Sequence, residues 1–311
     1  MIRASITLDD KGVDFAERAW KHDIKIEWLI YRFGGYDPFG KTPLSAADPE
    51  QFRNTFQPVM DRLEAKGIVL AGFELGNEIN LSGTNPEFVK PEGRARQLSM
   101  SDLKSDPEGK KVANGYLQYL KILSVLKDIR DSSKLNARVP IMTAGLGTYD
   151  QADGFLPGWA KGDVVSINTT LSFMRAHGLD NLVDAYAVHI YPDTKHLSTD
   201  ASALRKQRIA TYDLAACRPK GSADGKPCWV TEWGIDNDAQ GCPINDTSRA
   251  EMVREIMSDF RPYVQQGRVV GLLYFAWNST PKATSMMASS LWRCGGLTDA
   301  GKLAIDSNLL K

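Results

Sequence analysis

The chain has 311 residues, with 38 basic and 38 acidic side chains and 42% hydrophobic residues. That length can bury a large core, and the even charge balance leaves no excess to suggest nucleic acid or an anionic membrane as a partner. No apolar run approaches the roughly 20 residues a membrane helix needs, and the N-terminus lacks the basic-then-apolar layout of a secretory signal.

Taken in order, short apolar runs alternate with longer amphipathic ones. Residues 2–8 read as a strand, 13–22 as a helix and 24–33 as a strand. Residues 49–66 form a helix, with Phe52, Phe56, Val59, Met60 and Leu63 at helical spacing, and lead into a strand over 68–76. A polar stretch to about residue 111 precedes a long helix over 112–130 and a strand over 139–145. The same rhythm predicts a helix over 164–177, a strand over 183–191, a helix over 201–216 and a strand over 228–233. A helix over 248–266, a strand over 269–278 and a helix over 297–309 complete the chain. No linker or repeat interrupts these βα units, so a single domain over 1–311 is expected.

Repeated βα units with buried strands suit either a doubly wound sheet or a (β/α)8 barrel. No Gly-x-Gly-x-x-Gly follows a strand, which counts against a dinucleotide-binding sheet. The reactive side chains instead fall at the C-terminal ends of several strands: Glu78, His189 with Tyr191, Glu232 and Trp277. A barrel enzyme gathers its chemistry at that end of the strands. The fold class expected is therefore α/β, a (β/α)8 TIM barrel.

Asn77-Glu78 ends one strand, His189-Ile190-Tyr191 a later one, Thr231-Glu232-Trp233-Gly234 the next and Phe275-Ala276-Trp277-Asn278 the last. Four such motifs in this order resemble the retaining glycoside hydrolases of clan A, with a leaning towards family 39-like over family 5-like enzymes. The resemblance implies that Glu78, ending strand four, is the acid/base and that Glu232, ending strand seven, is the nucleophile. Two carboxyl groups suit this chemistry because the leaving oxygen needs a proton while the oxocarbenium-like centre needs an anion. By the same count residues 2–8 are strand two, so the chain reads as a barrel lacking its first strand, cut at Met1 from a longer protein.

The resemblance further implies that Asn77 contacts the sugar 2-hydroxyl and that Tyr191 donates to Glu232. His189 is equally a substrate contact or a hydrogen-bonded structural residue. Arg3 and Arg32 compete for a role beside the nucleophile. Trp233, Trp277 and Trp292 are the candidates for stacking on sugar rings, Trp277 first among them. Long loops over 34–48, 80–110 and 279–296 would wall a deep cleft. The expected substrate is a β-linked polysaccharide or oligosaccharide cut internally; a transglycosylase or a non-catalytic carbohydrate-binding barrel is the alternative.

The four cysteines have no metal-type spacing with the four histidines, so neither a metal nor any other cofactor is expected. The pairs Cys217–Cys228 and Cys242–Cys294 are expected instead, which would place a monomeric enzyme in the periplasm or outside the cell; four reduced thiols in a cytosolic protein are the alternative.

Overall fold

The structure, a computed structural model, describes residues 1–88, 95–147, 162–191, 199–235, 246–278 and 290–311. Its contacts divide the chain into two compact units, Met1–Ala187 and Val188–Lys311.

In the first unit, strands β1 (Ile2–Ser5), β2 (Ile26–Ile30), β3 (Gly72–Leu75) and β4 (Ile141–Met142) pair side by side in chain order, all parallel. Sequential order matters, because right-handed crossovers that always step to the same side leave every helix on one face of the sheet. Helices α1 (Asp10–Lys21), α2 (Pro49–Ala65) and α3 (Pro107–Ser132) supply those crossovers, and α4 (Ile167–Ala176) follows a further short parallel pair, Gln97–Leu98 with Val164–Val165. Asp9, Asp48 and Asp106 cap the first three helices by accepting their opening backbone N–H groups, and Pro49 and Pro107 sit where no donor is missed.

The helix-facing side of the sheet is aromatic. Phe52 and Phe56 of α2 stack with centroids 5.2 Å apart, and Phe56 meets Trp28 of β2 and Phe73 of β3 edge-on. All four rings are fully buried. Period-two alternation then puts the strand neighbours Glu27 and Glu74 on the opposite side, also fully buried.

In the second unit, β5 (Tyr186–Ile190), which begins at the end of the first, β6 (Cys228–Trp233) and β7 (Val269–Tyr274) again follow chain order. Helices α5 (Thr199–Arg208), α6 (Thr247–Gln265) and α7 (Asp299–Ala304) accompany them. Trp233 packs edge-on against Phe260 of α6 and Tyr274 of β7 and is fully buried. No described helix is long and apolar enough to cross a membrane.

Two expectations need correction. The stretch 80–110 is not an open loop: Met100–Ser105 is a helix with a Ser99/Asp102 capping box, and α3 starts at Pro107, five residues before the apolar stripe. Gly109 lets these helices meet, since a Cβ there would lie 2.1 Å from the Asp102 carbonyl oxygen. The helix expected over 201–216 ends at Arg208, and a π turn, Ile209–Asp213, carries the chain on to Cys217.

Cys217 is bonded to Cys228, the first residue of β6, and no described cysteine is a free thiol. The other expected pair involves Cys242, which lies outside the described residues. The bond closes an eleven-residue separation, for which chain-entropy reasoning gives about 2–3 kcal/mol. Reduction, or Cys217→Ala with Cys228→Ala, is expected to lower Tm by several degrees; an unchanged melting curve would show that the bond restrains nothing in the unfolded chain.

Candidate active site

In the first unit the site grows from the end of β3. Gly76 turns the backbone with φ +82°, and Glu78 itself takes φ +47°, a left-handed conformation that costs a branched-off side chain roughly 1–2 kcal/mol. Local bonds hold it there. The Glu78 N–H donates to the Gly145 carbonyl at 2.8 Å, and the Glu78 carbonyl accepts from Leu81 N–H at 2.8 Å and from the Thr84 hydroxyl at 2.5 Å. The Glu78 carboxyl borders Gly147, where an added Cβ would stand 3.1 Å from Oε1.

Asn77 is held from the strand below it. Arg3 of β1 donates from Nε and Nη2 to the two oxygens of Glu74 at 2.8 and 2.7 Å, and from Nη2 to Asn77 Oδ1 at 2.8 Å. Glu74 Oε1 also accepts the Gly145 N–H at 2.9 Å, and Arg3 Nε lies 3.6 Å from Glu27 Oε2. The Asn77 amide is thus oriented by a bidentate ion pair inside the sheet. Arg3, weighed above only as a partner for the nucleophile, has Glu74 and Asn77 as its close partners. Arg32 is mostly exposed, paired with Asp37 at 3.1 Å.

Asn80 opens a glycosylation-type triplet in the sequence, yet its side chain is fully buried. Its amide donates to the Gly147 and Val165 carbonyls at 2.8 Å and accepts the Gly147 N–H at 3.0 Å.

In the second unit Glu232 sits near the end of β6 and is mostly buried. The Tyr191 hydroxyl donates to Glu232 Oε2 at 2.5 Å, and His189 Nε2 lies 3.6 Å from Oε1. His189 is fully buried whereas Tyr191 is about half exposed. The two residues are two apart, His189 on β5 and Tyr191 just past its end, so the extended chain turns both towards the same carboxylate. Trp233 does not serve as a stacking platform. Its neighbour Glu232 takes one side of β6, so Trp233 takes the other, sealed beneath α6.

Trp277 and Trp292 do form an exposed aromatic surface. Their rings stack at 6.0 Å and 23°, and backbone bonds from Trp292 N–H to the Trp277 carbonyl and from Leu291 N–H to the Ala276 carbonyl tie the two segments together. Arg249 of α6, fully buried, fixes this arrangement: it donates to Asp246, to the Ser290 carbonyl at 3.0 Å and to the Thr298 hydroxyl at 2.9 Å. Burial alone would raise the Asp246 carboxyl, but Arg249 and the Ala300 N–H more than offset it and hold it below the ordinary carboxylate value. The Asp246–Arg249 pair is therefore a charged clamp from neutral pH down through the usual carboxylate range.

Sequence reasoning gave no role to Glu27, Glu74, Thr84, Asp246 or Arg249. The first two carried a readable signal, an acid inside an apolar strand run. The others interact with segments far away in sequence, which periodicity does not reveal.

Residues 157–304 match the family model described as glycosyl hydrolase catalytic core. Solved structures extend the likeness over the chain. A fungal β-1,4-galactanase aligns at TM-score 0.57 and 15% identity, covering 97% of this chain and 86% of that one. The GH53 catalytic domain from Ignisphaera aggregans aligns at 0.51 and 15%, covering 99% and 83%. A family 39 glycoside hydrolase from Bacteroides cellulosilyticus aligns at 0.52 and 16%, covering 100% and 58%. No curated protein matches the sequence.

The fold is the (β/α)8 barrel, and over residues 157–304 the chain resembles a glycosyl hydrolase catalytic core. The likeness in fold to these hydrolases agrees with the resemblance drawn from the strand-end motifs.

Removing Arg3 would strip the guanidinium from two buried carboxylates, a loss of about 3–5 kcal/mol for a buried pair. Arg3→Met is expected to lower Tm markedly and to abolish glycan hydrolysis, while Arg3→Lys recovers part of the stability. Equal activity of Arg3→Met and wild type would show that the orientation of Asn77 is irrelevant.

Proposed function

We propose that the protein is a retaining endo-glycosidase that cleaves internal β-linkages of a polysaccharide, with Glu78 as acid/base and Glu232 as nucleophile. The observation that carries this reading is the Tyr191–Glu232 hydrogen bond at 2.5 Å, which orients a carboxylate near the end of a barrel strand and favours its ionised form. Glu78 follows the end of another barrel strand, in a left-handed backbone conformation of the kind that clusters at active sites. Barrels of this kind work at the C-terminal ends of their strands.

In the first step Glu78 gives its proton to the glycosidic oxygen as that bond breaks. Glu232 forms the new bond to the anomeric carbon, and its approach from the far face inverts the centre once. In the second step Glu78 takes a proton from water, the water oxygen bonds to the anomeric carbon, and the ester to Glu232 breaks. Two inversions return the β configuration. Asn77, fixed by Arg3, donates to the sugar 2-hydroxyl. The exposed Trp277–Trp292 pair offers flat apolar faces to sugar rings.

A β-linked glycan fits the galactanase likeness in fold, and the Cys217–Cys228 bond fits an oxidising compartment, so the site of action is periplasmic or extracellular.

Glu232→Gln is expected to abolish turnover with Tm little changed, and Glu78→Ala to retain the first step on aryl glycosides with good leaving groups while accumulating the glycosyl-enzyme. NMR of the first-formed product decides the stereochemistry. An α product, or near-normal polymer cleavage by Glu232→Gln, refutes the assignment.

A gentler substitution tests Glu78. Gly147→Ala brings a methyl to 3.1 Å from Glu78 Oε1 and 2.5 Å from Leu81 Cδ1; the leucine end can yield, but the carboxyl must move. The expected result is a fall in kcat of about tenfold or more, with stability changed by about 1–2 kcal/mol. An unchanged kcat would show that the carboxyl gives way at no cost to the reaction, so that its position is not finely set.

A further inference from the structure

A cavity of about 710 Å³ opens in the first unit between the C-terminal ends of β1 and β2 and the first turns of α2. Its volume falls in the roughly 300–1,000 Å³ range of small-molecule sites. The reaction proposed above uses none of its residues.

One wall is aromatic. Tyr31 and Phe39 lie parallel within 8° at 5.1 Å, and Phe39 is 68% exposed. An apolar ring so exposed, fixed beside a cavity, is a surface for a ligand with an apolar face. The loop is anchored, since Asp37 accepts the Phe39 N–H at 3.0 Å and pairs with Arg32, whose guanidinium lies over the Phe39 ring at 5.5 Å. Arg32, Asp37 and Gln51 give the lip both donors and acceptors. Because Asp37 cancels the charge of Arg32, the lip has no excess of either sign with which to select an ionised ligand.

The wall of the cavity reaches Glu78. The buried Tyr36 lines it and donates its hydroxyl to the Thr84 carbonyl at 2.5 Å, and the Thr84 hydroxyl donates to the Glu78 carbonyl at 2.5 Å. Burial pushes the Tyr36 phenol up, so it remains a donor at any working pH.

We propose that this cavity is a remote subsite for uncharged sugar units of the glycan chain, packed against Tyr31 and Phe39 with their hydroxyls on Arg32, Asp37 and Gln51. The proposal rests on the glycosidase reading and assigns its substrate as a neutral chain several units long. Ring faces with C–H groups pack on aromatic walls, and planar side chains at the lip pair with vicinal hydroxyls. Binding energy gained here, away from the bond that breaks, is available to the reaction.

The test uses calorimetric titration of the Glu232→Gln protein with neutral β-1,4-linked gluco-, galacto- and xylo-oligosaccharides of two and six units, and with a hexamer of galacturonic acid. At least one neutral hexamer is expected to bind, with Phe39→Ala lowering the hexamer-to-dimer affinity ratio about tenfold and Phe39→Tyr restoring it. Tm measured alongside confirms folding. Failure of every neutral hexamer to bind, tighter binding of the uronate hexamer, or an affinity ratio unmoved by Phe39→Ala would overturn the proposal. Hydrolysis by the wild-type protein is scored separately. Ratio-dependent binding without cleavage would keep the subsite and sink the glycosidase reading, whereas cleavage with an unmoved ratio would do the reverse.

Discussion

The ion pair between Arg3 and Glu74 is the constraint on which the first unit depends. Two fully buried carboxylates, Glu27 and Glu74, stand on adjacent strands of an otherwise apolar sheet, and one guanidinium from a third strand faces both. Desolvating these charges costs several kcal/mol per ion, an expense that a hydrocarbon core would avoid. The return is direction: Arg3 presents one nitrogen to Asn77, and Glu74 accepts the N–H of Gly145, whose carbonyl receives the N–H of Glu78. Side-chain charge inside the sheet thereby fixes backbone geometry just beyond it.

The second unit solves the same problem differently. Glu232 takes its orientation from a strand neighbour, since Tyr191 and His189 both turn towards it from the end of β5. The aromatic pair that follows depends on a clamp set back in the helix layer, where Arg249 binds Asp246 and the backbone of Ser290. In each unit an arginine largely shielded from solvent organises a segment that follows a strand. Arginine suits the task because its planar fork holds several acceptors at fixed angles while keeping its charge.

How much of this the sequence disclosed depends on the range of each interaction. Strand and helix alternation was legible because it is local: the stripe from Phe52 to Leu63 names the buried face of α2 without reference to anything else. The strand-end motifs were legible for the same reason. Trp233 misled because an aromatic beside Glu232 suggests a platform, whereas strict alternation sends it under Phe260. The helix Met100–Ser105 was hidden in a polar stretch whose stabilising bonds are caps, not a stripe. Asn80 shows the limit most clearly, since a surface-type triplet is in fact a buried bridge to residues 67 and 85 positions away.

Strand β6 has a covalent end and a chemical end. Cys228, tied to Cys217, opens it, and Glu232 lies four residues on, roughly 13 Å away at the usual rise per residue. The described partners of that carboxylate, Tyr191 and His189, are neither of the bonded cysteines. The covalent restraint and the oriented carboxylate therefore stand at opposite ends of one element. In a reducing medium a population of such chains would dwindle through unfolding, while the carboxylate of each folded molecule kept its partners.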